Sequence, residues 1–175
     1  MKSIRRCTFE TNSSSTHSMS FVGGDYCYYL ENEDSYDDYT LHVRLGEFGW
    51  EWRDYTTPTE KLQYLITMRC EQLGCTESIW DNKNTEEFKE IIYNDSVFQD
   101  IVSAVVSNTQ YSEIEIDSFC GYVDHQSVQD VEDVVYEAGA SSIESFIFGP
   151  YKVRTGNDNS SDPEKPECWW SNSQE

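Results

Sequence analysis

The chain has 175 residues, with 12 Lys or Arg against 33 Asp or Glu, for a formal net charge of -21. A surface this negative repels phosphate and anionic lipid, which argues against contact with a nucleic-acid backbone unless a metal mediates it, and against an anionic membrane surface, and favours a cationic partner. Aromatic residues make up 14 % of the chain, too many for a disordered acidic polymer, so a folded domain with an acidic skin is expected.

The length is that of one domain with a tail. No run of 18 apolar residues is present, and the basic opening Met1-Lys2-Ser3-Ile4-Arg5-Arg6-Cys7 leads into no apolar stretch. A host bacterial cytoplasm is the expected location. The six cysteines are irregularly spaced and lack C-x-x-C, so reduced thiols are expected, with neither metal nor cofactor.

In chain order, β-branched and aromatic residues between turn signals predict strands over 18–22, 26–30, 40–45 and 47–53, read together as an N-terminal β-meander. Thr57-Pro58-Thr59-Glu60 has capping-box spacing with Pro at the first helical position, and Gly74 is placed to end that helix. Leu62, Leu65, Ile66, Cys70 and Leu73 form its apolar stripe, broken by Arg69. A second helical region covers 85–107. There Ser96 and Gln99 are candidate caps for a second segment, and a break at Asn94-Asp95 is left open.

Ile114 and Ile116 alternate with Glu113 and Glu115, predicting a strand over 112–117 with one wet face. Residues 119–123 continue or pair with it. Ser127 is read as the cap of a helix reaching Ala138, 142–148 as a short helix closed by Gly149-Pro150, and 151–154 as a returning strand. From Thr155 the composition turns polar, so the expected division is a single α+β domain, 1–154, and a mobile acidic tail, 155–175. Trp169-Trp170 in that tail is a candidate anchor for assembly.

The charge is unevenly distributed. No Lys or Arg lies between Lys89 and Lys152, an interval of 62 residues with 12 acids, and a shorter basic-free stretch over 25–38 holds Asp34, Asp37 and Asp38 among tyrosines. On the helix after Ser127, Asp130, Asp133 and Glu137 fall three and four residues apart. Each such like-charge pair costs a few tenths of a kcal/mol. Stability alone would interleave a Lys. The carboxylates Glu113, Glu115, Asp130, Glu132, Asp133 and Glu137, with Asp34, Asp37 and Asp38, are therefore the candidate partner-binding residues. Held on a rigid scaffold, they can imitate the charge spacing of a nucleic acid in a basic groove.

A catalytic alternative rests on the polar run Phe9-Glu10-Thr11-Asn12-Ser13-Ser14-Ser15-Thr16-His17-Ser18 and on Asp124-His125-Gln126-Ser127. If the Ser13–His17 loop met the second patch, Ser15, His17, Asp124 and His125 would form a Ser/His/Asp-like set for a small hydrolase or transferase. No nucleophile elbow or Gly-rich phosphate loop accompanies it. Glu113 and Glu115 also form an E-x-E pair that, with Ser14, Ser15 and Arg6, is faintly similar to an ADP-ribosyltransferase. An alternating wet strand produces the same pair without any such role. His42, on the polar side of its strand, is assigned nothing.

The run from Arg5 to Ser18 resembles the opening of small, mostly uncharacterised proteins encoded by bacteriophages and mobile elements of gut-type bacteria. Asp124-His125-Gln126-Ser127 and the segment from Phe146-Ile147-Phe148 to Asn157-Asp158-Asn159 look like further features of that group. These three patches cover about a fifth of the chain. Some members resemble anti-CRISPR proteins that block a Cas nuclease. The resemblance implies a phage-borne accessory protein and supplies no catalytic residue. With the charge pattern, it yields the expectation of a non-enzymatic acidic inhibitor of a basic, nucleic-acid-binding host nuclease.

Overall fold

The structure, a computed structural model, describes residues 15–21, 30, 39–49, 53–76, 85–124 and 130–157, and the statements below concern these. Residues 26–29 of the strand expected over 26–30, Asp34, Asp37, Asp38, Ser13, Ser14, His125, Ser127 and the Trp pair lie outside them.

The described residues form seven strands and five helices. The strands are β1 (Ser15–Phe21), β2 (Thr40–Arg44), β3 (Glu47–Phe48), β4 (Arg53–Tyr55), β5 (Glu113–Ser118), β6 (Tyr122–Val123) and β7 (Tyr151–Asn157). The helices are α1 (Pro58–Gln72), α2 (Thr85–Tyr93), α3 (Ser96–Asn108), α4 (Val131–Glu137) and α5 (Ile143–Phe148). Their order along the chain is β1–β4, α1–α3, β5–β6, α4–α5, β7, and the class is α+β.

The strand pairing differs from a meander. Among the described strands no two consecutive ones pair. β7 is the centre of an antiparallel sheet of order β1-β7-β4, whereas β2 lies parallel to β5 and β3 parallel to β6. Backbone bonds from Leu45 N to Ser118 O, Tyr122 N to Gly46 O and Asp124 N to Phe48 O join the two parallel pairs into one interrupted ladder. Parallel neighbours need a long crossover, and β4 with α1, α2 and α3 supplies it. The ladder closes tightly at Gly121, where a Cβ would stand 2.5 Å from Leu45 Cβ and 2.7 Å from the Gly46 carbonyl oxygen.

Local signals set several helix starts. Thr57 accepts from the Glu60 amide while the Glu60 carboxylate accepts from the Thr57 amide, completing the capping box ahead of Pro58. Ser142 and Ser145 do the same for α5. Leu73 C-caps α1, and Gly74 follows at φ 69°, a left-handed conformation that Gly adopts without a Cβ penalty.

Other boundaries depart from the sequence expectation. The helical region 85–107 does break at Asn94-Asp95, but the cap of α3 is Asp95, whose Oδ1 accepts from the Phe98 amide at 2.9 Å, not Ser96 or Gln99. Asp130 is extended, with φ -71° and ψ 148°, so α4 starts at Val131 and cannot reach back to Ser127. The strand expected over 47–53 is two short ones. Residues 15–18, read as part of a polar loop, belong to β1, because β7 offers them a pairing edge. β7 itself continues to Asn157, three residues into the expected tail.

Helix α1 is the centre of the molecule, packing against β6, α3, α4 and α5. Tyr64, Leu65, Ile66 and Met68 are fully buried, so apolar contact extends well beyond the single stripe read from the sequence. Phe48 packs edge-on against Tyr55 and Tyr64, with ring centroids 5.0 and 5.2 Å apart. Each such aromatic removes enough apolar surface from water to contribute about 1.5–3 kcal/mol. One buried core runs from Leu41 and Ile116 through α1 to Phe146 and Val153.

Candidate functional site

The candidate carboxylates divide between two places. Asp130, Glu132, Asp133 and Glu137 project from the cap and body of α4, and all four are exposed. Val131, Val134 and Val135 bury the opposite side of this short helix, which packs on α1 and α5. Burial of one side holds the acids on a fixed wall. Asp133 and Glu137 are one helical turn apart, as the spacing predicted.

Tertiary structure adds a base that the local sequence lacks. Arg69 of α1 lies close enough to Asp130 and Glu132 for their charges to raise its pKa, although the hydrogen bonds it donates to Asp95 dominate that rise. Asp130 Oδ1 also accepts from Gln72 Nε2 at 3.0 Å. Among the described residues, Glu132, Asp133 and Glu137 have no salt-bridge partner.

Glu113 and Glu115 belong to the second set, on the wet face of β5. Glu113 accepts from Thr40 Oγ1 at 2.9 Å, and Glu115 Oε1 lies 3.3 Å from Lys89 Nζ of α2. Burial opposes the charge on Lys89, yet the Glu115 carboxylate outweighs it and holds the ammonium above its ordinary pKa. These two acids are thus partly engaged within the fold. β5 packs on β2 and α3, whereas α4 packs on α1 and α5, so the sets ride on different elements.

His42 and Asp117 also stand on this face, with His42 Nδ1 2.8 Å from Asp117 Oδ1. Ligand atoms of His42, Glu115 and Asp117 all lie within 4.8 Å of one another. The chain around His42 gives no sign of a cluster, because Asp38 and Glu47, the acids nearest to it in sequence, lie outside its strand. Its partners are 73 and 75 positions away and arrive through the parallel register. The usable signal was the pair of alternating wet strands, one carrying His and the other E-x-E-x-D.

The residues of the catalytic alternative are distributed differently. Ser15 and His17 are strand residues of β1, paired in register with Asn157 and Thr155 on β7. Asp124 follows β6, and its amide donates to Phe48 of β3. The described residues of the set therefore belong to two separate sheets. Of the described thiols, Cys70 and Cys75 are poor nucleophiles: both are buried, and burial pushes their pKa values up.

Among the described residues, no helix is long and apolar enough to cross a membrane. No protein-family model matches the chain, and neither does any curated protein or solved structure.

Proposed function

We propose that this protein is an acidic inhibitor that occupies the basic groove of a nucleic-acid-binding host defence protein, in the manner of a phage-borne anti-CRISPR protein. One observation carries the reading. Glu132, Asp133 and Glu137 are exposed on a helix clamped to the core, without salt-bridge partners among the described residues. A fold that gains nothing from adjacent like charges keeps them where a cationic surface can meet them. The basic-free interval 90–151 and the phage-type opening run support the same reading.

The mechanism is electrostatic steering followed by occlusion. The acidic field speeds encounter with a basic channel, and the fixed carboxylates then replace phosphates there. Glu113 and Glu115 contribute field more than contacts, since Thr40 and Lys89 already engage them.

The test is capture of binding proteins from bacterial lysate across a salt gradient, with wild type and the triple variant Asp130→Lys, Asp133→Lys, Glu137→Lys as baits. The wild type is expected to retain a basic nucleic-acid-binding protein at low salt, and the variant to lose it. Equal retention by both baits at low and high salt would remove the α4 wall from the mechanism.

A further inference from the structure

We propose that His42, Glu115 and Asp117 form a binding site for one divalent first-row transition-metal ion on the wet face of the β2–β5 pair. This site is separate from the α4 wall and does not rest on the inhibitor reading.

Two backbone features assemble it. The parallel register sets His42 directly opposite Glu115. The ladder then shifts: Val43 pairs with Ile116, but Arg44 pairs with Ser118, leaving Asp117 as the extra residue of a bulge. A bulge re-aims the side chain at its insertion, and here the Asp117 carboxylate comes to lie 2.8 Å from His42 Nδ1. The flanking Val43, Ile114 and Ile116 are buried, which anchors both strands under the cluster.

The donor set selects the ion class. One neutral imidazole and two carboxylates balance a dication. The imidazole favours zinc, cobalt, nickel or iron over magnesium and calcium, which prefer all-oxygen ligands. Metal–ligand bonds of about 2.0–2.2 Å place neighbouring ligand atoms about 3.0–3.4 Å apart, so the His42–Asp117 contact needs to open by only a few tenths of an ångström. Three protein ligands leave a coordination position for water or a partner's side chain.

Lys89 works against the ion. Its ammonium stands 3.3 Å from Glu115 Oε1, where a dication would draw on the same oxygen. Metal entry therefore displaces Lys89 from Glu115. A merely structural His–Asp contact has no such dependence on Lys89.

The experiment is calorimetric titration of the full, chelator-treated chain with zinc chloride, and separately with magnesium chloride, for wild type, H42Q, D117N and K89Q. Imidazole nitrogen NMR of the wild type accompanies it. One zinc equivalent is expected to shift the His42 ring signals, and H42Q and D117N to weaken that site about tenfold or more. K89Q is expected to tighten it about threefold, as removal of one nearby like charge should. Magnesium is expected to leave the His42 signals in place. Zinc affinity unchanged in H42Q, a shift confined to His17 or His125, or no imidazole shift at one equivalent overturns the proposal. The NMR arm is read on the wild type and so stands even if a variant fails to fold.

Discussion

Arg69 grips Asp95 with both prongs of its guanidinium: Nε donates to Oδ1 at 2.8 Å and Nη2 to Oδ2 at 2.6 Å. The same Oδ1 caps α3 through the Phe98 amide. One carboxylate thus starts a helix and ties it to α1, with both side chains largely shielded from water, at 16 % and 12 % exposure. Arg69, the polar break in an apolar stripe, is a strut between two helices.

Replacing Asp95 with Ala removes the cap and leaves a shielded guanidinium without its carboxylate. The expected loss is about 2–4 kcal/mol in urea unfolding. Asp95→Asn keeps capping ability but not the charge, so its loss is smaller. Hydrogen bonds from Arg69 hold the Asp95 carboxyl below the ordinary carboxylate range. A depressed folded-state pKa gives stability that is present above the unfolded pKa and lost as pH falls through the folded one. The acid loss of stability below about pH 4 is therefore shallower in Asp95→Asn than in wild type.

Glu137→Lys separates stability from function. It converts the repulsive Asp133–Glu137 pair into an attractive one and puts a cation in the last turn of α4. Unfolding experiments are expected to show about 0.5–1 kcal/mol of added stability at low salt, fading at high salt. Retention of a basic partner is expected to fall in the same variant. A variant both more stable and equally retentive would mark Glu137 as a bystander.

Lys61 provides a pH signature. It is 1 % exposed, its ammonium donates to the Gly149 carbonyl at 2.8 Å, and it lies 5.9 Å from the centre of the Phe146 ring. No carboxylate within ion-pair distance accompanies it among the described residues. Burial lowers its pKa to about 8. Between about pH 8 and the ordinary lysine value the unfolded chain binds the extra proton, so this group makes stability rise with pH across that window. Lys61→Met is expected to flatten that rise relative to wild type, measured by urea midpoints at successive pH values. It is also expected to lose little stability at neutral pH, since the hydrocarbon replaces a desolvated charge. Parallel pH profiles for the two proteins would contradict the assignment.

What the sequence determined by itself is the set of features built from near neighbours. The Thr57–Glu60 box and the alternation of Glu113, Ile114, Glu115 and Ile116 involve residues a few positions apart, and the basic-free interval is a property of composition along the chain. Their hydrogen bonds, faces and charges follow from helix and strand periods alone. The α+β class follows from those elements.

Tertiary structure decided everything that depends on distant partners. The strand signal begins only at Ser18, so residues 15–17 of β1 read as a loop until β7 arrives beside them. Nothing near Lys61 indicates that its ammonium is buried against Gly149, 88 positions away. His42 acquires meaning only when a parallel register and a one-residue bulge deliver Glu115 and Asp117 to its side. Strand pairing is a contest among many edges of similar local character, won by the register that buries the most apolar side chains at once. That contest involves the whole chain, and no short window of sequence contains its outcome.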